Sequence, residues 1–308
     1  MNLRATSNAE QSEPRFLMCP PHHFAVNYSI NPWMDPQAWA DRGTTLQLEA
    51  QRQWAGLRSV LLAARAAIET LQPIAGLPDL VFTANAAVVL DRKVLVSSFR
   101  YPERRDEQAV FAATFGALAE RSVIDEIVQL PPGIILEGAG DCIWDPQRYL
   151  FWMGCGFRSD PSAAHVVEKQ FGVPCLTLPL AHASFYHLDT AFCALPRGSV
   201  IYYPGAFTST ALAKIHSLVA PPERIVLEET DALAFAANAV CVDRTIVLSS
   251  CSSTLRSKLQ ERGYLVAESP LHAFLHSGGS ACCLTLRLDH CSDAKAAVAT
   301  TAAERDQG

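Results

Sequence analysis

The sequence predicts an α/β protein made of five ββαβ units arranged as a closed ring. Three observations carry this. The first is an internal repeat. Residues 85–98, NAAVVLDRKVLVSS, and residues 238–250, NAVCVDRTIVLSS, match almost position by position, with one residue fewer in the second. Each is two apolar runs joined at Asp-Arg, the pattern of a β-hairpin with a polar turn. The second is spacing. Weaker copies occur at residues 141–153 (DCIWDPQRYLFWM) and 190–203 (TAFCALPRGSVIYY), and a last strand is expected at residues 281–288 (ACCLTLRL). Strand starts therefore fall near 85, 141, 190, 238 and 283. The third is helical periodicity in the gaps. An open α/β sheet with coincidental spacing is the alternative. The likeness of the first and fourth hairpins favours the ring.

Taken in order, residues 45–71 form a long amphipathic pattern with Leu46, Leu57, Leu61 and Leu62 among its apolar positions. Residues 102–120 begin with Pro and acidic residues, a helix N-terminus. Residues 161–171, 209–219 and 252–262 follow the same logic. Short strands are expected after the helices, at residues 173–180 (VPCLTLPL) and 223–229 (ERIVLEE). Residues 1–14 and 292–308 are polar or Ala- and charge-rich and read as mobile tails, leaving 15–291 as one domain without an internal linker.

Composition excludes several classes. Of 308 residues, 49% are hydrophobic and 18% charged, which is ordinary for a globular protein and rules out disorder over most of the length. The most apolar stretches, such as residues 232–242, fall far short of the ~20 residues that span a bilayer. The net charge is −6 and no long basic run exists, so nucleic-acid binding has no electrostatic footprint. The N-terminus lacks the apolar core of a secretory signal, which points to the cytoplasm. Ten cysteines are then expected as free thiols, mostly small buried hydrophobes. No CxxC pair occurs, so zinc and iron–sulfur spacings are missing. The sequence leaves homo-oligomerisation open.

A polar or small cluster precedes each inner strand: PDLVFTANA (Asn85), LEGAGD (Glu137, Asp141), FYHLDT (His187, Asp189), EETDALAFAANA (Asp231, Asn238) and HSGGSACC (Cys283). In a closed ring these strand mouths converge on the axis and share one cavity. Each has a plain reading beside the functional one. Glu137-Gly-Ala-Gly-Asp141 suits a turn, but its glycines also admit close backbone approach to a ligand, and its two carboxylates suit a cation. His187 and Asp189 fall on one face if the segment is extended, and a buried His and Asp need partners. Cys282 and Cys283 point to opposite faces if they lie on a strand, and buried packing alone would explain either.

PDLVFTANA, LEGAGD, FYHLDT and GGSACCLT, in that order, resemble the motifs of the guanidino-group-modifying enzymes: arginine deiminases, dimethylarginine dimethylaminohydrolases, amidinotransferases and arginine dihydrolases. The likeness covers about residues 16–290, and MCPPHHFAVNYSINPWM (residues 18–34) is most similar to the arginine dihydrolase and bacterial dimethylargininase-like branch. The resemblance implies a five-bladed α/β propeller, Cys283 rather than Cys282 as nucleophile, His187 and Asp189 as the His-x-Asp pair, and Glu137 as the acidic partner. It also implies that Arg104 and Arg158 hold a substrate carboxylate and that Asn31 and Asn85 contact substrate; Asp141, as the second carboxylate beside the glycines, is expected there too. The implied partner is arginine or a derivative, with neither metal nor organic cofactor. Relatives of the deiminase and dimethylargininase types carry Asp near the position of Asn85, whereas dihydrolases resemble this sequence in having Asn. That tips the expectation to arginine dihydrolase. Dimethylargininase, amidinotransferase and a non-catalytic ligand-binding propeller are the alternatives.

Overall fold

The computed structural model describes residues 13–292. The calls on the two tails therefore fall almost wholly outside the described residues. Within that span the chain forms five three-stranded sheets. Four are consecutive in sequence. β3 (Ala87–Leu90), β4 (Lys93–Val96) and β5 (Glu126–Gln129) form one, and β6 (Cys142–Asp145), β7 (Leu150–Cys155) and β8 (Cys175–Pro179) the next. β9 (Phe192–Ala194), β10 (Val200–Tyr202) and β11 (Arg224–Val226) follow, then β12 (Val240–Val242), β13 (Thr245–Leu248) and β14 (Leu265–Glu268). In each, the first two strands are an antiparallel hairpin and the third returns parallel to the second.

The fifth sheet closes the ring. β1 (Arg15–Met18) pairs in parallel with β2 (Ala67–Thr70) and antiparallel with β15 (Leu286–Arg287), with Leu17 opposite Leu286. The last strand thus takes the inner place that a hairpin partner takes elsewhere. This is the five-bladed α/β propeller.

Helices supply the parallel crossovers, as parallel pairing requires. α1 (Pro36–Ala63) starts earlier than the apolar periodicity suggests. Asp35 caps it by accepting from the Ala38 amide at 3.0 Å, and Pro36 fits its first turn. It ends before the expected Leu71, because Arg65 turns into the left-handed region (φ 65°) and the chain enters β2. Leu46, Leu57 and Leu61 are buried, but Leu62 is exposed. The helix expected over 102–120 is two, α2 (Pro102–Arg105) and α3 (Glu107–Glu120), joined at Asp106. α4 (Ala163–Phe171), α5 (Ser209–Leu218) and α7 (Ser253–Glu261) agree with expectation to within two residues. α6 (Glu229–Leu233) and α8 (His272–Leu275) are short additions. The 85–98 hairpin turns through Asp91 and Arg92 at φ 53° and 60°, the two-residue turn whose twist suits flanking strands.

Two local expectations are corrected. Residues 281–284 form a turn rather than a strand: the Leu284 amide donates to the Ser280 carbonyl and that of Thr285 to the Cys282 carbonyl. His187-Leu-Asp189 is not extended either. The Thr190 amide and hydroxyl fold back onto the His187 carbonyl (3.3 and 2.7 Å), winding Leu188–Thr190 into a single 3₁₀ turn.

The five turns preceding the inner strands join hands around the axis. The Ala84 amide donates to the Cys283 carbonyl (3.2 Å), and Asn85 Nδ2 to the Glu137 carbonyl (3.2 Å). The Leu188 amide donates to Asp141 Oδ1 (3.0 Å), and Asn238 Nδ2 to the Asp189 carbonyl (3.1 Å). The Cys283 amide donates to Asn238 Oδ1 (3.1 Å), which completes the circle. Gly140 is required by this crowding, since a Cβ there would stand 2.3 Å from Asn85 Nδ2. The glycine gives room to a neighbouring turn, not to a ligand. Among the described residues no helix is long and apolar enough to cross a membrane.

Candidate active site

The turn circle surrounds a cavity lined by Cys283, Asn85, Arg104, Arg158, Asn31 and Tyr186, together with Asp79, Ser277, Ile30 and Phe82. The turn of residues 281–284 aims Cys283 at this cavity, while Cys282 lines a separate apolar cavity between the inner strands. The Cys283 thiol donates to Asp189 Oδ2 at 3.1 Å and receives the Asn238 Nδ2 hydrogen at 3.0 Å. Burial and the adjacent Asp189 push this thiol well above its ordinary pKa.

Asp189 is buried, and burial pushes its carboxyl up to about 7. Its Oδ1 makes no close hydrogen bond among the described residues, although the Cys282 thiol lies near the carboxyl. A buried acceptor of this kind is an open place for a donor. His187 Nε2 lies 2.8 Å from Glu137 Oε2, and the ring packs on Tyr186.

Glu137 is fully buried and its oxygens are occupied. Oε2 meets His187 and Arg158 Nη1 (2.9 Å), and Oε1 accepts from the Arg100 amide (3.1 Å). Burial alone would raise this carboxyl, but the Arg158 guanidinium and His187 hold it well below the usual carboxylate range. It is a fixed anion that orients the imidazole.

Arg158 is clamped between the rings of Tyr101 and Tyr186, at 4.8 and 4.5 Å, and its Nη2 donates to the Ile30 carbonyl. Arg104 gives two donors to Glu107 (3.0 and 2.7 Å), one to Asn85 Oδ1 (2.8 Å) and one to the Asp79 carbonyl (3.2 Å). Neither arginine presents an empty two-pronged fork to the cavity. Asn31 spans the Trp33 amide and the Ser277 carbonyl.

Asp141, expected at the substrate, is drawn away from it. Its oxygens accept from Ser159 Oγ (2.6 Å) and the Leu188 amide (3.0 Å), so it holds the turn that carries His187. Asp231, from the fourth cluster, accepts from the Ser252 amide and hydroxyl (2.7 Å each) at the start of α7.

Sequence reading passed over Asp79, although it stands inside PDLVFTANA. It is buried, accepts from Tyr28 Oη (2.8 Å) and Ser277 Oγ (3.2 Å), and adds a carboxylate to the cavity. Glu107 was missed too, because its partner Arg104 is only three residues away on what reads as a solvated helix face. The cavity thus sets the Cys283 thiol, held from behind by Asp189, among two buried arginines and a further carboxylate. That suits a cationic head on a zwitterionic molecule.

Comparison with known proteins agrees. The N,N-dimethylarginine dimethylhydrolase family, eukaryotic type, matches residues 20–289. The chain is 40% identical over 277 residues to the bifunctional arginine dihydrolase/ornithine cyclodeaminase AgrE of Nostoc sp., a match covering 90% of this chain and 38% of the relative. It therefore spans about two-fifths of such bifunctional relatives. It is 35% identical over 274 residues to the N(G),N(G)-dimethylarginine dimethylaminohydrolase of Mycobacterium tuberculosis, covering 89% of this chain and 85% of that one. Among solved structures, the N-terminal domain of the cyanobacterial arginine dihydrolase ArgZ bound to substrate superposes with a TM-score of 0.83. That match is at 38% identity and covers 91% of this chain and all of the other. The same ArgZ domain is also known covalently bonded to a reaction intermediate. The chain belongs to the dimethylarginine dimethylaminohydrolase family of guanidino-group-modifying propellers.

Proposed function

We propose that this chain is a cysteine-dependent guanidino hydrolase, and specifically an arginine dihydrolase. One observation supports the reading above others: Cys283, which lines a buried cavity together with Arg104 and Arg158, holds its Sγ 3.1 Å from Asp189, whose Oδ1 makes no close hydrogen bond among the described residues. A guanidinium is the cation that fits. Its N–H groups donate to Asp189 Oδ1, and its positive charge favours ionisation of the adjacent thiol, which burial otherwise opposes. Arg158 and Arg104 face the substrate carboxylate as charges, and Asp79 receives the α-ammonium.

The Cys283 sulfur then bonds to the guanidino carbon as the thiol proton passes to His187. His187 returns that proton to the departing ammonia, leaving an S-alkylthiouronium. Glu137 stabilises the imidazolium between these steps. His187 next deprotonates water, water adds to the same carbon, and the carbon–sulfur bond breaks to release citrulline. A second passage of citrulline through the same groups consumes another water and yields ornithine, ammonia and carbon dioxide. No metal or organic cofactor enters this account.

Asn85 favours the dihydrolase. Its side chain is an amide held by Arg104 and the Glu137 carbonyl, so it adds no third anion beside Asp189 and Glu137. A neutral ureido product is tolerated better in such a pocket than in a more anionic one. Dimethylargininase is the second reading, favoured by the likeness to the mycobacterial enzyme over 85% of its length.

Product analysis decides between them. Arginine, dimethylarginine and citrulline are supplied separately and the products identified by mass. Ornithine from both arginine and citrulline supports the proposal. Dimethylamine from dimethylarginine with no ornithine from arginine replaces it with dimethylargininase. No turnover of any of the three removes the enzymatic reading.

A further inference from the structure

Asn238 opens the second copy of the repeat, at the place Asn85 holds in the first. It is fully buried in the turn before β12. Its Nδ2 donates to both Cys283 Sγ (3.0 Å) and the Asp189 carbonyl (3.1 Å), and its Oδ1 accepts from the Cys283 amide (3.1 Å). Its own carbonyl accepts from the Cys282 amide (3.3 Å). One residue therefore holds the consecutive amides of Cys282 and Cys283 and also touches the sulfur. Asn85 has no such role. Its amide spans the Glu137 carbonyl and Arg104.

We propose that Asn238 is the positioning residue of the nucleophile: it fixes Cys283 toward the guanidino carbon and stabilises the sulfur anion when it forms and again when it leaves. This rests on Cys283 being the nucleophile, as in the preceding proposal. The chemistry follows from what surrounds the sulfur. Asp189 offers an acceptor, which favours the thiol. Asn238 offers the sulfur a donor, which favours the thiolate. An amide does this without a charge that would compete with the substrate cation. The backbone contact through Oδ1 denies the side chain a flipped orientation, because flipping would set two N–H groups against each other at Cys283.

The test separates ionisation from turnover. The rate at which iodoacetamide alkylates Cys283 is followed against pH by peptide mass mapping, with Cys283→Ala as the blank, in the parent, Asn238→Ala and the isosteric Asn238→Asp. No substrate is needed, so a wrong choice among guanidino substrates leaves this result intact. In Asn238→Ala the alkylation limb is expected to move up by about one pH unit, a roughly tenfold slower reaction at fixed pH below it. Asn238→Asp, which sets a second carboxylate against the sulfur, moves it further. With arginine as substrate, kcat falls by about a hundredfold or more while KM changes little. Folding is checked by thermal melting, and Asn238→Asp is the variant to read should Asn238→Ala not fold. Alkylation limbs in the folded variant that coincide with the parent's would overturn the proposal, as would a loss confined to KM.

Discussion

Cys282 and Cys283 are adjacent thiols, the first half-buried and the second buried, yet only Cys283 reaches the turn circle's cavity. Cys283→Ser is expected to reduce turnover by at least about 10³-fold, because a serine hydroxyl is a poor nucleophile without thiol acidity. Cys282→Ser should retain most of it. Equal losses in steady-state assays would move the nucleophile off Cys283. The acidity of Asp189 makes a second prediction. Its carboxyl holds a proton up to about 7 in the free protein, and a guanidinium binds the ionised form. The kcat/KM value should therefore climb as pH rises toward about 7 and lose that dependence above it. Stability runs the other way. An unfolded Asp titrates near 3.9, so this residue's contribution to folding is complete below that pH and is lost as pH rises through about 7. A kcat/KM profile that stays flat on the acid side would contradict the assignment. At this scale the sequence was informative where chemistry and position coincide, as at Cys283 and His187. It was silent on Asp79, and it placed Asn238 at a strand mouth without a role, because both roles depend on what the ring brings against them.

Turns, more than strands, carry the site. The sequence motif around His187 reads as extended because His-x-Asp fits a period of two, but Thr190 closes it into a 3₁₀ turn through two bonds to one carbonyl. Likewise Cys-Cys-Leu-Thr reads as β because it is apolar, whereas Ser280 and Cys282 carbonyls capture the following amides. Periodicity describes faces and does not count local hydrogen bonds, which is why these two segments misled while the 85–98 hairpin did not. Asp141 shows the consequence. Asp141→Ala strands the Leu188 amide and the Ser159 hydroxyl, each costing about 1–3 kcal/mol when buried without a partner. Asp141→Asn keeps an acceptor for one of them and should lose roughly half as much. Urea unfolding measures both. Similar, negligible losses would show that the turn does not depend on this carboxylate.

The ring as a whole was legible because its units repeat in sequence, and a repeat near fifty residues constrains topology more than any single element does. Its closure was not. The strand that closes the ring, β15, has only two residues, Leu286 and Arg287, and they pair with Leu17 and Phe16 of β1 at the far end of the described chain. No local pattern announces such a pairing. A chain ending at Thr285 loses β15 and, with it, the buried Leu286 and Leu288. It should unfold without a sharp thermal transition and bind no arginine. A cooperative melt at the parent temperature would show that the ring holds without its inner closing strand. Five turns linked carbonyl to amide and side chain to backbone also mean that damage at one blade is felt at the next, so the variants above should not be additive.

The most direct test is to catch the bond itself. The protein is mixed with arginine, quenched in acid during turnover, digested and mapped by mass. A thiouronium adduct is expected on the peptide carrying Cys283, disappearing once arginine is exhausted. An adduct on another residue, or ornithine forming with no adduct under any quench time, would contradict it.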